Sequence, residues 1–419
     1  VTDPRIVIGA SHAGSELAAK LRQLDPSTPV LLLGEEPVLP YQRPPLSKTW
    51  LKDPAGEVEP LLIRNAQAYA AAGIQTRIGA RAAAIDRERR QVLLDGGEVL
   101  PYAQLAIATG ARARRLMVDD AARAERAANF HTLRTLADAQ RLRPQFSAGQ
   151  RIVIVGGGYI GLELAALAIK QGLLPTVLEA QARVLARVTA PQLSAFYEQV
   201  HRDAGVDVRT GLQVTGFEYG DGASGRIGAV RWRDAQQRSG SIEADIVVVG
   251  VGVLPNIELA QASGLHCGDG IVVDESCRTS DATIVAAGDC TCRPVPGQPH
   301  PVRIESVPNA VEQARAAAAT LCGQHQPCTG VPWFWSDQYD LKLQMVGLST
   351  GHDEVAIRGD MAARAFAAFY LKQGVVIAAD VVNRPADFML ARKLVAARAR
   401  AGAEQLADRN TELKALMAA

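Results

Sequence analysis

The chain has almost no net charge, +1 at pH 7 over 419 residues. Without a global field of either sign it has no general attraction for nucleic acid or a membrane surface, so any charged docking surface must be local. No apolar run is long enough to cross a bilayer, and no membrane association is expected. The residues ahead of Arg5 lack a basic segment, an apolar segment and a cleavage site, which leads to the expectation of a cytoplasmic protein. Cysteine is scarce. Cys267, Cys277, Cys290, Cys292, Cys322 and Cys328 form no C-x-x-C, and Cys290 and Cys292 are too close together for an ordinary disulfide. Reduced thiols without a role are expected. Seven histidines form no H-x-x-x-H and no paired Cys/His spacing, so no metal site is expected.

What is present is 48% hydrophobic and 21% charged, ordinary for a globular protein, and long enough for about three domains. Arg151–Glu163 organises it. Ile152–Val155 is a β-branched run of the kind buried on both faces of a parallel sheet. Gly156, Gly158 and Gly161 follow as G-x-G-x-x-G with Tyr159 and Ile160 between, and Leu162–Lys170 reads as a helix. The first glycine allows a tight turn, the second lets backbone approach a pyrophosphate, and the third lets the helix pack on the strand. The strand Thr176–Leu178 ends at Glu179, an acid placed to accept from a ribose 2′-hydroxyl, which favours NAD over NADP.

The same parts occur earlier. A strand Arg5–Ile8 leads into Gly9-Ala-Ser-His-Ala-Gly14, with Ser11 at the middle glycine position. A helix Ser15–Leu24 and a strand Val30–Leu33 follow, then Glu35 where the ribose acid belongs. In Arg43-Pro-Pro-Leu-Ser-Lys48 two adjacent prolines predict a rigid extended loop presenting Arg43 and Lys48. Val92–Leu94 and Glu98–Leu100 read as a hairpin. The strand Gln104–Ala108 then ends at Thr109-Gly110. In the second copy a polar meander (Gly228–Arg233, Ser241–Glu243) and the strand Asp245–Val249 precede Gly250-Val-Gly252. The order of parts is duplicated, which implies one dinucleotide per copy.

Ile284–Ala287 leads to Gly288-Asp289, where an acid at a strand end can hold a ribityl hydroxyl. Glu305–Asn309 precedes an Ala-rich helix, Ala310–Cys322, whose N-terminus suits an electronegative flavin edge. Strands are expected at Leu341–Leu348, Glu354–Arg358, Phe366–Leu371 and Val375–Val382, with helices at Ala386–Arg400 and Glu404–Met417. Trp333 and Trp335 read as core of this small sheet rather than as an electron conduit. The expected domains are 1–112 with 246–326 for one dinucleotide, 113–245 for the other, and 327–419 as a C-terminal α+β domain.

Both fingerprints, the Thr109-Gly110 and Gly288-Asp289 turns and the Arg43–Lys48 loop together resemble the FAD- and NAD(P)-dependent pyridine nucleotide oxidoreductases. Within them the chain is similar to the NADH-dependent ferredoxin reductases of bacterial cytochrome P450 and aromatic dioxygenase systems. Val188–Pro191, Ser194–Tyr197, Asp203–Val206, Arg303–Asn309 and Trp333–Gln338 carry that similarity, which runs to about Arg392. The resemblance implies an α/β fold of two Rossmann-like domains, glutathione-reductase-like, plus the α+β domain. It implies FAD on Gly9, Ser11, Ala13 and Gly14, with Glu35 on the adenosine ribose, Ala82 on the adenine side and Asp289 on the ribityl chain. Arg43, Thr109, Arg134 and Gly288 also contact FAD in that reading, and Val307 offers backbone to the pyrimidine edge. NAD lies on Gly156–Gly161 with Glu179, Arg187 and Gly252. Lys48 and Glu163 form a pair at the flavin face. Trp335 stands beside the flavin toward a [2Fe–2S] ferredoxin. Read from the sequence, Arg64, Arg315, Lys393 and the helix near Arg398 are either docking residues for an acidic ferredoxin or solvated surface charge. A monomer or weak dimer is implied.

Two other classes share the architecture. A flavin disulfide reductase needs a redox cysteine after the first strand and acid, yet Glu35–Lys52 contains none. An NADH oxidase or apoptosis-inducing-factor-like protein shares the Lys–Glu arrangement, and Pro332–Gln338 argues against it.

Overall fold

The computed structural model describes residues 3–53, 55–220 and 225–417. Contacts divide them into two compact units. One comprises the chain as far as Gln42, Glu57–Arg112 and Leu254–Pro332. The other comprises Arg43–Gly56, Ala113–Val253 and the chain from Trp333 on.

The first unit is built on a parallel sheet in the order Ile284–Ala286, Gln104–Ile107, Arg5–Ile8, Val30–Gly34, Ile74–Ile78. Both faces are covered, which is why its inner strands are apolar without alternation. On one face Val7 and Leu32 pack with Leu17, Ala18 and Leu21 of the helix His12–Leu24 and with Ala314, Ala317, Ala318 and Leu321 of the helix Val307–Leu321. On the other, Ile6, Ile8, Leu31, Leu33, Leu105 and Ile107 meet Ile85 and Val92. Those two belong to an antiparallel meander of Ala82–Asp86, Gln91–Leu94 and Val99–Pro101. Each buried Val, Leu or Ile among them contributes about 1.5–3 kcal/mol by leaving water.

The second unit repeats the plan. Its parallel sheet runs Asp207–Thr210, Leu174–Glu179, Arg151–Val155, Ile246–Val249, Phe130–Thr132. Its meander is Leu212–Tyr219, Ile227–Asp234 and Ser239–Glu243. One difference is topological. The outer strand on one edge comes late in the chain in the first unit (Ile284–Ala286) and early in the second (Phe130–Thr132). The second unit also holds an antiparallel sheet in the order Trp333–Gln338, Leu341–Gly347, Val375–Val382, Ala365–Lys372, Glu354–Asp360. The helix Pro385–Ala396 covers it with Phe388, Ala391, Leu394 and Val395.

Several elements differ from their sequence-based bounds. Helices start at His12 and Tyr159, not at Ser15 and Leu162, so the last glycine of each fingerprint lies inside the first helical turn. The Ala-rich helix likewise starts at Val307, where Pro308 fits the first turn and Ser306 caps the N–H of Asn309. Pro44 and Pro45 do not make an extended loop. They open a 3₁₀ turn, Pro44–Ser47, followed by a short helix, Thr49–Lys52. First-turn residues need no N–H donor and take φ near −65°, so proline suits them. The helix expected to reach Arg400 stops at Ala396, where Arg398 turns left-handed (φ 48°) and Ala399 donates back to Leu394 O. The last helix is only Ala403–Ala407, followed by a 3₁₀ turn at Ala415–Met417. The Asp408 carboxylate there accepts from Asn410 N and Thr411 Oγ1, and the buried Arg358 guanidinium takes the carbonyls of Leu406 and Thr411.

Candidate functional site

In the first unit the glycine loop is shaped by how closely backbones pass. A methyl group at Gly9 (φ 112°) would sit 2.1 Å from Ala108 O, and one at Gly14 would sit 1.9 Å from Gly9 O. Ser11, at the N-cap, has φ −139°, so the middle position needs no left-handed backbone and tolerates serine. The helix opens without an acid in its first turn, leaving a site of positive polarity. Gly288 (φ 87°) lies against Ala13, with room for a methyl only 3.2 Å from Ala13 Cβ, and donates its N–H to Gln313 Oε1 at 2.8 Å. The Gly288-Asp289 turn is therefore brought to the fingerprint. Thr109 Oγ1 donates to Asn256 O at 2.6 Å, and Asn256 Nδ2 returns a bond to Thr109 O at 2.9 Å, which holds the Thr109-Gly110 turn (Gly110 φ 66°). Glu35 is exposed at the end of its strand, 3.4 Å from the Arg81 guanidinium. Ala82 is half-buried, and Val307 opens its helix with no acid in the first turn. A methyl-free backbone cradle, a helix N-terminus and an exposed acid fit the pyrophosphate and ribose of FAD.

The second unit has the matching cradle. A methyl at Gly156 (φ 112°) would meet Gly250 O at 2.4 Å, and one at Gly161 would meet Gly156 O at 2.1 Å, whereas Gly158 faces open space. Glu179 accepts from Gly157 N at 2.7 Å and Gln181 N at 2.8 Å, which aims its carboxylate at the loop. Exposed Arg187 brings its guanidinium 3.4 Å from the methyl position of Gly252 (φ 100°). Ile160 is exposed, while the Tyr159 hydroxyl donates inward to Met345 Sδ at 2.7 Å. This set fits a second dinucleotide whose ribose carries a free 2′-hydroxyl. Arg43, also in this unit, donates to Arg134 O at 2.9 Å.

Glu163, on the fingerprint helix, is 7% exposed. Lys48 Nζ lies 3.2 Å from its Oε1 and 3.3 Å from Asp337 Oδ2. Ser336 Oγ donates to Glu163 Oε1 at 2.7 Å and Ser47 Oγ to Oε2 at 2.8 Å. Burial pushes the Glu163 carboxyl above its usual range, and the Lys48 ammonium with the two serines only partly offsets that. Beyond Ser336 the bonds continue. Gln338 Nε2 donates to Ser336 Oγ at 3.3 Å, the His201 Nε2 to Gln338 Oε1 distance is 2.9 Å, and the Tyr339 hydroxyl lies 3.0 Å from His201 Nδ1. Sequence reasoning missed Ser47, Ser336, Asp337, Gln338 and His201 as members of this cluster. The signal for three of them was the strand Trp333–Gln338, where period 2 turns Ser336 and Gln338 inward and Asp337 outward.

Trp333 and Trp335 are half-buried with ring centroids 5.7 Å apart, which corrects their reading as core. Phe334 links Trp335 to Tyr159 at 6.1 and 5.3 Å, and Arg392 lies over the Trp333 ring. Lys393 stands on the same helix as Arg392. In the first unit Arg64 and Arg315 share the Glu16 carboxylate at 3.4 and 2.8 Å.

Two outcomes test this geometry. Gly161→Ala should lower stability by about 2–3 kcal/mol in urea unfolding, whereas Gly158→Ala should leave it within about 0.5 kcal/mol and weaken NADH binding by obstructing the approach. Because the fold favours neutral Glu163, stability should decline as pH rises from the ordinary value of 4.5 and level off once the folded carboxyl ionises. Unfolding across that interval should show a smaller decline in Glu163→Gln. An identical decline would assign it to other groups.

Residues 4–314 match the family model for pyridine nucleotide-disulphide oxidoreductases, and residues 333–417 match the reductase C-terminal model. The chain is 45% identical to putidaredoxin reductase of Pseudomonas putida over 417 residues, 100% of this chain and 97% of that protein. It is 41% identical to the ferredoxin–NAD(+) reductase component of the anthranilate 1,2-dioxygenase system of Burkholderia cepacia, over 99% of each. The crystal structure of the covalent putidaredoxin reductase–putidaredoxin complex superposes with TM-score 0.93 at 44% identity, covering 99% of this chain and 98% of that one. With both models matched and relatives alike over their full length, the chain belongs to the pyridine nucleotide-disulphide oxidoreductases that end in a reductase C-terminal domain.

Proposed function

We infer that the protein is an NADH-dependent, FAD-containing ferredoxin reductase serving a [2Fe–2S] ferredoxin. The observation that carries this is the presence of two glycine cradles, each followed by an acid-ended strand, in a chain with no cysteine between Glu35 and Lys52. Bound FAD supplies the chemistry the side chains lack, accepting a hydride from NADH and releasing the two electrons singly. The first unit's loop Gly9–Gly14 holds the pyrophosphate, Glu35 the adenosine ribose, Asp289 the ribityl chain and Val307 the pyrimidine edge. Ala82, Thr109, Arg134, Arg43 and Gly288 complete that set. In the second unit Gly156, Gly158, Tyr159, Ile160 and Gly161 hold NADH, with Arg187 and Gly252 flanking it.

Glu179 selects NADH. Its carboxylate repels a 2′-phosphate and accepts from a 2′-hydroxyl. The Lys48–Glu163 pair sits at the flavin face and keeps charge balanced there as electrons arrive and leave. Trp335 is the proposed exit toward ferredoxin, with Lys393, Arg64 and Arg315 as candidate attractors of an acidic partner. We assign the ferredoxin to a cytochrome P450 monooxygenase and the chain to the cytoplasm. An aromatic-ring dioxygenase system is the second reading, favoured by the anthranilate relative.

The test is NADH turnover with oxygen alone against turnover with a [2Fe–2S] ferredoxin and cytochrome c. Strong ferredoxin stimulation is expected. Fast oxygen-only turnover without stimulation would instead favour an NADH oxidase. Glu179→Ala should lower the preference for NADH over NADPH, as a ratio of kcat/KM, by about tenfold or more.

A further inference from the structure

Asp380 stands in the middle of the strand Val375–Val382 and is 4% exposed. No lysine or arginine pairs with it among the described residues. Carboxylates are among the groups least often buried without a cation, so what holds this one matters. Its Oδ2 accepts from Thr189 Oγ1 at 2.6 Å and from the Tyr370 hydroxyl. The Tyr370 oxygen in turn accepts the Ala190 N–H at 3.0 Å and lies 2.9 Å from Thr189 Oγ1. Each hydroxyl has a single proton, and both protons are directed at the carboxylate. Three contacts therefore converge on Thr189 and Ala190.

Those two residues end the segment that starts at Glu179 and carries Arg187. The segment is firm along its length. Arg183 donates to Ala186 O at 2.9 Å and Thr189 O at 2.8 Å, and Leu185, with φ 54°, donates its N–H to Gly157 O at 3.0 Å. The segment is thus tied to the glycine loop at its start through Glu179 and midway through Leu185, and to Asp380 at its end. Met345 lies directly across the sheet from Asp380 and accepts from the Tyr159 hydroxyl. A single level of the C-terminal sheet holds both the start of the fingerprint helix and the end of the Arg187 segment.

We propose that Asp380 is a positioning residue for NADH: ionised, it fixes Thr189 and Tyr370, and so the segment that presents Arg187 to the dinucleotide. This rests on reading the second unit as the NADH site. Charge-assisted hydrogen bonds are the stronger kind, so protonating Asp380 loosens the hold. Burial raises its carboxyl to about 6, with the two hydroxyls and His352 opposing. The titratable groups facing it are Tyr370, Tyr159, Tyr197 and His352, whose imidazole is edge-on to Tyr370 with centroids 5.1 Å apart. Burial drives the three phenols upward, away from the interval concerned.

The experiment measures, on the FAD-loaded protein, the dissociation constant of NAD+ by calorimetry and KM and kcat for NADH, from below pH 6 to above it. Asp380→Asn should raise both the dissociation constant and KM by about tenfold while kcat changes by less than about twofold. In the unaltered protein KM should fall as pH rises through about 6, and in Asp380→Asn that fall should vanish while persisting in His352→Gln. At pH above about 6, a dissociation constant for Asp380→Asn within about twofold of the unaltered protein would overturn the proposal. If Asp380→Asn fails to fold, Tyr370→Phe and Thr189→Val decide. Each should weaken NAD+ several-fold, and wild-type affinity in both refutes the role. If the unaltered protein binds no NAD+, the NADH reading fails first and the positioning role falls with it.

Discussion

A carboxylate removed from water at Glu163 constrains much of the second unit. Burial alone would leave the group neutral, and unpaired it would be among the costliest features of the fold. Three segments far apart in sequence converge to hold it: Ser47 and Lys48, the fingerprint helix, and Ser336 in the C-terminal sheet. This explains why the short stretch Arg43–Gly56 belongs to the second unit rather than to the first, whose residues flank it. It also explains why Pro44 and Pro45 open a turn. The 3₁₀ turn ends at Ser47 with Lys48 as its non-helical cap, and from there both side chains reach Glu163, whereas an extended strand would send successive side chains to opposite faces.

The duplicated plan was legible because it rests on backbone requirements that only certain residues meet. Gly9, Gly14, Gly156 and Gly161 pass within reach of a carbonyl, and any Cβ there would collide. Spacing of that kind survives in sequence even where Ser11 replaces one glycine. The Lys48–Glu163 pair was not legible from spacing. It came from the resemblance, because the contact joins residues 115 apart through a third segment. His201 and Asp380 carried no local signature, and for Ser336 and Gln338 the strand period gave only the inward face, since buried polar side chains are explained only by partners brought in by tertiary folding. The termini of helices were the least readable. The true stop at Ala396 depends on a left-handed Arg398, a conformation no residue type announces there.

The family name refers to disulphides, but this chain's six thiols are all free among the described residues. Burial raises the thiols of Cys277, Cys290 and Cys328, the opposite of what a redox nucleophile requires. They behave as small apolar side chains within the first unit's cores. Where a disulphide-reducing relative would keep its reactive sulfur, this chain has a proline turn leading to a lysine. The same scaffold thereby passes electrons on without a covalent relay.

The contrasting origins of the outer strands bear on how the chain is made. During synthesis the second unit's parallel sheet is complete once Ile246–Val249 has emerged, because its outer strand Phe130–Thr132 is already present. The first unit's sheet stays open at Gln104–Ile107 until Ile284–Ala286 arrives, after the second unit's parallel sheet and meander have been translated. An apolar strand with unsatisfied backbone groups therefore waits on the ribosome, a vulnerable edge for pairing with another chain. The parallel sheet that begins first is the one that closes later, and the time its edge stays open is set by the length of chain inserted between its strands.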